Sequence, residues 1–490
     1  MLFLSQPQVV FQVAYMNSRV IVVVGGGIAG LAAAHRLVEL SNERALALDV
    51  QILEASQRLG GSIATQRAGD FLVEAGPDSF ITEKPSALRL CERLGLTPRL
   101  VSTQSAHQKI YVVHRGKLVA LPEGFLLLAP TRLWPFLYSP LFSWAGKLRM
   151  AGELFLPRGE MKGDESLGAF VRRRFGAEAL ERVAQPLVGG IYASDPDKLS
   201  LSATMPRFIE MERQRRSIIW AMWCERRRRA RDSGSGARWS LFVTLAGGMQ
   251  ELVDTIAKRL PEGTIRFDAP VTGLIQDENR YDWRISVGDN ETMTADGVIL
   301  AAPAFQAGAI LSSVAADAAD ELRRIPYAST ATINLAYRRA DFPRQPDSFG
   351  FVVPSVERRK IMACTFSSLK YPGRAPEDHI LLRAFVGGAL QPELFSAEDS
   401  ALEITVRDEL TELLGVRGRP LFSRVWRHPK SMPQYHVGHA ARIQRIEDSL
   451  KRFPTITLAG SAYHGVGISD CVRTGEQAAE KVVGYLESNS

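Results

Sequence analysis

The patterned part of the chain begins with an unbroken β-branched apolar run, RVIVVV at residues 19–24, the mark of a strand buried on both faces of a parallel sheet. A glycine-rich loop, Gly25 to Gly30, separates it from LAAAHRLVEL, which reads as a helix. ALDVQILEA (45–55) is a second strand, so the three pieces form one βαβ unit. Residues 83–95 predict a helix with Pro85 near its start and Gly95 at its end. Strand patterns return at 264–275, 283–287, 296–304 and 455–460. The last is followed by a glycine-bearing turn and a helix from about Cys471. Two blocks interrupt this series. Residues 106–235 hold two short strands around IYVVHRGKLVALP, then a Pro- and Trp-containing apolar stretch and Arg-rich helices, closed by the flexible SGSG at 233–236. Residues 327–428 alternate strands with two helical stretches. The simplest architecture is α/β. A Rossmann-like domain is assembled from the distant segments 17–105, 236–304 and 441–490, with an inserted mixed-sheet domain at 305–440 and a mainly helical one at 106–235.

Composition supports several domains in a globular chain: 490 residues, 46% apolar and 23% charged. Much of the formal charge of +7 sits at Arg213, Arg215, Arg216, Arg226 to Arg229 and Arg231. Such a run is a solvated face or meets an anionic lipid or substrate; no nucleic-acid reading motif accompanies it, so no nucleic-acid partner is expected. Cys91, Cys224, Cys364 and Cys471 have neither zinc-site nor disulfide-framework spacing and are expected as free thiols in a reducing compartment. The most apolar uncharged stretch, 133–146, is too short for a span and carries Pro135 and Pro140. The first residues lack the features of a signal peptide, and Met16 reads as the true start, with 1–15 as an extension.

Two motifs carry the chemistry. Gly25-Gly26-Gly27-Ile28-Ala29-Gly30 contains G-x-G-x-x-G between a strand and a helix, where the helix N-terminus faces a pyrophosphate. Glu54 ends the second strand, where an acid bonds ribose hydroxyls. It continues as Glu54-x-x-x-Arg58-x-Gly60-Gly61, an extension that a nicotinamide site does not require; it resembles the signature of FAD-binding amine-oxidase-like flavoproteins. The distal half, residues 458–480 (LAGSAYHGVGISDCVRTGEQAAE), brings small residues and a helix N-terminus to a flat ring. The cofactor expected is FAD.

Further blocks make the resemblance specific. They are Gly76-Pro77-Asp78-Ser79-Phe80, Gly190-Ile191-Tyr192-Ala193, the stretch Phe366-Ser367-Ser368 to Arg374-Ala375-Pro376, Phe385-Val386-Gly387-Gly388, and the tail with Tyr463, Gly465-Val466 and Asp470-Cys471. From Val20 onward the chain resembles the flavin-dependent protoporphyrinogen oxidases and the related bacterial coproporphyrinogen oxidases. The resemblance implies staged six-electron oxidation of a porphyrinogen, non-covalent FAD reoxidised by oxygen, a substrate-binding domain, a helical membrane-binding domain and a homodimer. It places the protein in the cytoplasm or peripherally on the inner face of the cell membrane.

The resemblance also assigns residues. FAD would meet Gly25, Gly26, Gly27, Ile28, Ala29 and Gly30 at its pyrophosphate, Glu54 and Val271 at its adenine half, and Arg58 and Gly61 at its phosphates and ribityl chain. Ser62, Gly76, Pro77, Asp78, Ser79, Ser461, Val466, Gly467 and Ile468 would meet its ring side. Phe385 would stack on a pyrrole ring, with Val352 opposite and Thr365 beside it, and Gly190 would offer its carbonyl to pyrrole N–H groups. No side-chain catalyst is assigned, since the flavin carries the chemistry. The Arg that eukaryotic members use for a substrate carboxylate aligns with Ile110, and Lys109 is the expected substitute, with Arg115 nearby. The FSS, RAP and FVGG block resembles the plant-type enzymes and points to protoporphyrinogen IX, with coproporphyrinogen III as the alternative. More distant readings are an amine or polyamine oxidase, for which the tail has one aromatic where a cage is needed, and a flavin-bearing membrane subunit without turnover.

Overall fold

Five parallel strands line up in the order Ile265–Arg266, Leu48–Leu53, Arg19–Val24, Gly297–Leu300 and Ile456–Leu458. The computed structural model describes residues 18–126, 129–130, 132–159, 163–232, 239–277 and 282–489; the expected extension at 1–15, with Met16, and the 233–236 loop lie outside them. The central strand shows why RVIVVV does not alternate with polar residues. Ile21 and Val23 enter a core with the helices Ile28–Arg44, Ser86–Arg93, Gln250–Arg259 and Ile468–Ser488. Val22 and Val24 enter a second core on the other face. That core is closed by an antiparallel sheet, Val271–Gln276, Trp283–Val287 and Glu291–Ala295, and by the helices Ala304–Ile310, Ala316–Arg323 and His439–Leu450.

Two expected elements differ. The strand read at 264–275 is two strands in different sheets. Asp268 takes a left-handed φ of 51° and Pro270 has no N–H to donate, so the ladder breaks there. The C-terminal helix starts at Ile468, before Cys471, because Gly467 takes an extended conformation as its N-cap.

The inserted domain is a mixed sheet of seven strands. Their order is Phe422–Pro433, Tyr327–Arg338, His379–Gly387, Ala363–Phe366, Gly350–Val352, Ile110–His114 and Lys117–Ala120. The Gly350–Val352 and Ile110–His114 pair is parallel and the other neighbours are antiparallel. Both strands near 110–120 therefore extend this sheet before the chain enters its helical body.

The helical body packs Leu167–Phe175, Gln185–Tyr192, Pro206–Arg215 and Ile218–Asp232 around one apolar core. Arg174 and Glu153 are paired there with no exposure. Arg174 also donates to Pro157 O (2.8 Å) and Arg216 O (2.7 Å), and Glu153 accepts from Ser217 Oγ (2.6 Å) and Ile218 N (2.8 Å). The partners satisfy charges that would otherwise be costly to bury. All four cysteines are free, and Cys91, Cys364 and Cys471 are buried. Among the described residues, no helix is long and apolar enough to cross a membrane.

Candidate active site

The glycine loop and the second motif are held together by backbone. Gly60 N donates to Gly26 O at 2.9 Å, and Gly27 and Gly60 form an isolated parallel bridge. Glu54 accepts from Gly26 N (2.7 Å) with one oxygen and from Ser56 N (2.8 Å) and Ser56 Oγ (2.7 Å) with the other. Arg58 donates to Ile63 O (2.9 Å) and to Gly61 O, which fixes the turn between them. A Cβ on Gly76 would lie 1.8 Å from Ser62 O, so these two segments touch backbone to backbone. Ala269 N donates to Glu54 O (2.9 Å), which brings Val271 to the same end of the sheet.

The distal segment arrives beside this loop through helix packing. Gly475 of the C-terminal helix abuts the helix Ile28–Arg44, where a Cβ would lie 2.2 Å from Ala29 O. Tyr435 pins the turn, since its hydroxyl donates to Ser461 O (2.6 Å) and accepts from Gly465 N (2.8 Å). Lys84 meets Asp470 in the first turn of that helix at 2.7 Å. Val466 packs against the helical-body core, as do Tyr192 and Val352. His464 points outward and pairs with Glu447 at 2.8 Å.

Register decides which residues share a face of the seven-stranded sheet. Val112, Val352, Ala363, Phe385, Thr332 and Trp426 form one cross-strand row. Ile110, Gly350, Thr365, Arg383, Asn334 and Arg424 form the row two residues away, on the same face. Val352, Thr365 and Phe385 are half-buried, whereas Phe351, Cys364 and Ala384 on the other face are buried in a core with the helix Asp399–Leu414. The half-buried face is turned to the nucleotide domain, because Thr332 Oγ1 donates to Ala75 O (2.7 Å) and Arg383 Nη1 to Gly76 O (2.6 Å). Gly190 is exposed, with open space where a Cβ would stand.

A family model, flavin containing amine oxidoreductase, matches residues 28–483. The chain belongs to this family. Among its relatives, a coproporphyrinogen III oxidase of Bacillus subtilis (strain 168) is 36% identical over 96% of this chain and 98% of that protein. The human protoporphyrinogen oxidase is 31% identical over 96% of this chain and 100% of its own. A solved structure from Exiguobacterium sp. 255-15, assigned provisionally as a protoporphyrinogen oxidase, superposes with a TM-score of 0.83. It shares 32% identity and covers 97% of this chain and 100% of that one.

As a flavin amine oxidoreductase the protein takes FAD, and its residues fit that cofactor. The helix Ile28–Arg44 begins at Gly27 with no side-chain cap and no acid in its first turn, so its N-terminal N–H groups are left for phosphate oxygens. Nothing lies within 4 Å of a Cβ placed on Gly27, which leaves room beside the loop.

Lys109 requires a correction. Lys109 and Tyr111 both bond Asp347, at 3.0 and 2.8 Å, on the face opposite Ile110. Strand alternation thus turns Lys109 away from Phe385, and its side chain is 61% exposed. Arg115 sits in the exposed turn of the hairpin. What the oxidoreductase's motifs did not reveal is a part-buried ionic cluster at Gly76–Ser79. Asp78 meets Lys370 at 3.0 and 3.1 Å and Arg383 at 3.0 Å. Burial opposes its charge, but Lys370 and Arg383 outweigh this and hold its carboxyl well below the usual range. Burial also pushes the Lys370 ammonium below its ordinary value, against the attraction of Asp78. The signal was available: an Arg two residues before Phe385 inside the otherwise apolar strand HILLRAFVG.

Proposed function

We propose that the protein oxidises a porphyrinogen to the porphyrin, with coproporphyrinogen III as its substrate. The observation that carries the reading is the half-buried face holding Val352, Thr365 and Phe385, turned toward the flavin-binding domain. A porphyrinogen is broad and mostly apolar, so it needs such a wall to hold its meso carbon in place. Phe385 stacks on one pyrrole ring, Val352 packs opposite, and the exposed Gly190 carbonyl accepts from pyrrole N–H groups. Removal of six electrons and six protons in three steps gives the porphyrin. When bound, FAD supplies the two-electron acceptor and passes its electrons to dioxygen, with release of peroxide.

The substrate differs from the protoporphyrinogen read from the FSS and RAP block. Greater identity to the coproporphyrinogen III oxidase than to the human protoporphyrinogen oxidase supports the change. So does the position of that block. Ser368 Oγ accepts from Leu381 N (3.1 Å), Lys370 meets Asp78, and Arg374 donates to Thr244 Oγ1 (2.8 Å) and Leu245 O (3.0 Å). Ser368 braces a strand within the sheet domain, and Lys370 and Arg374 tie that domain to the nucleotide domain, so these contacts serve structure and do not point to a substrate's rim. Anaerobic bleaching of the bound flavin by each porphyrinogen separately tests the reading. Coproporphyrinogen III is expected to bleach it at least tenfold faster; faster bleaching by protoporphyrinogen IX overturns the choice, and bleaching by neither overturns the function.

We extend the proposal to a lipid surface. The helical body exposes Trp134, Tyr138, Trp144, Leu148 and Phe155, and Arg227 lies over the Trp223 ring at 3.4 Å. Aromatic and basic side chains together suit the boundary of an anionic bilayer.

A further inference from the structure

The seven-stranded sheet grips one short segment of the nucleotide domain, residues 74–79. Thr332 Oγ1 donates to Ala75 O at 2.7 Å, Asn334 Nδ2 to Glu74 O at 3.3 Å, and His428 Nε2 lies 2.9 Å from Ala75 O. Arg383 does more than these neutral donors. One of its amino groups donates to Gly76 O at 2.6 Å and the other meets Asp78 at 3.0 Å. Its guanidinium carbon lies 4.9 Å from the centroid of the Phe385 ring. Lys370 brackets the same carboxylate at 3.0 and 3.1 Å, and Ser79 Oγ donates to it at 2.8 Å.

This geometry exceeds what a structural ion pair needs. Neutralising Asp78 takes one cation, and Lys370 supplies it. Arg383 adds a planar fork that holds backbone and carboxylate together, and a flat face for the Phe385 ring. A lysine could replace its charge but neither the fork nor the face. Both contacts come from one strand, with Arg383 and Phe385 two residues apart on the same face. Any movement of the Gly76–Ser79 segment is therefore passed directly to Phe385.

We infer that Arg383 is a positioning residue: with Lys370 it holds Asp78, and so sets the gap between the cofactor-side segment Gly76–Ser79 and the substrate-side ring of Phe385. The inference rests on the reading of those two walls proposed above. It also places two cations against one carboxylate, so the cluster leaves an excess of positive charge under the flavin segment.

The test uses full-length holoprotein with Arg383→Lys, Asp78→Asn and Lys370→Met. Arg383→Lys is expected to keep its FAD and its melting temperature within a few degrees. Its saturated rate of anaerobic flavin reduction by coproporphyrinogen III falls roughly 30-fold, while half-saturation changes less than about threefold, the pattern of misplacement rather than lost binding. Asp78→Asn, which removes the negative charge, raises the reduction potential of bound FAD, and Lys370→Met lowers it. Wild-type reduction rates in Arg383→Lys overturn the inference, as do potentials that stay constant or move together. Should no porphyrinogen reduce even the wild type, the proposed function fails, and the potentials, measured without substrate, still decide the cluster's role.

Discussion

A methyl group on Gly30 would lie 1.9 Å from Gly25 O, closer than any two such atoms can stand. Gly30→Ala must push the first helix off the first strand, at a cost of roughly 2 kcal/mol or more, and opens the loop that faces the pyrophosphate. The expected outcome is protein that purifies without yellow colour and melts several degrees lower; a full flavin complement after gel filtration would show that the contact is slack. Residues of this kind are legible in sequence, because a glycine at a fixed spacing has one steric reason to be there. Glu54 is legible as the acid that ends the second strand, and in the structure its carboxylate accepts from Gly26 N at 2.7 Å, within the protein's own loop. Lys109 was misread because alignment with a missing Arg ignores which face of a strand a neighbour occupies. Arg383 went unseen because its acceptors, Gly76 O and Asp78, are about three hundred residues away in the chain.

Among the elements, the helix His439–Leu450 carries a titrating group against the distal flavin segment. The His439 ring is buried and stacks on Tyr435 at 4.0 Å between centroids, and Tyr435 in turn holds Ser461 and Gly465. Burial, helped by Arg442 and His464, lowers its pKa from 6.5 to about 4. A histidine kept neutral in the fold gains its proton more readily when unfolded. Its contribution is therefore full above pH 6.5 and is lost as the pH falls toward about 4, amounting to roughly 3 kcal/mol. Denaturant midpoints measured across that window should fall with acid, and His439→Phe should flatten the slope; parallel profiles would remove His439 as the cause. Elements with a clear β-branched or alternating apolar pattern were legible. The RVIVVV strand and WRISV match the structure residue for residue. The break at Asp268–Pro270 was not, since apolar residues continue on both sides and the left-handed Asp268 is set by the meeting of two sheets.

At the scale of the molecule, the helical body is the part whose surface chemistry differs most from a plain solvated face. Trp134, Tyr138, Trp144, Leu148 and Phe155 are each more than two-thirds exposed. If they enter a lipid boundary, the protein pellets with anionic liposomes at low salt and is partly released at high salt, because screening weakens the basic contribution while the apolar one persists. Trp134→Ser with Trp144→Ser should cut the pelleted fraction severalfold, and wild-type pelleting by that pair would move the lipid contact elsewhere. The general plan of a nucleotide domain split along the chain was legible from its motifs, whereas the seven-strand order was not, since pairing between Ile110–His114 and Gly350–Val352 joins stretches with no local signal for each other. The interleaving of the five parallel strands has a consequence for the newborn chain on the ribosome. Arg19–Val24 and its glycine loop are made more than four hundred residues before the edge strand Ile456–Leu458 and the helix that covers Ala29. The cradle must wait through that whole stretch of translation with one apolar flank bare, so cofactor capture follows the synthesis of Ile456–Leu458, and a ribosome that stalls before Ile456 releases a chain fit only for chaperones or proteolysis.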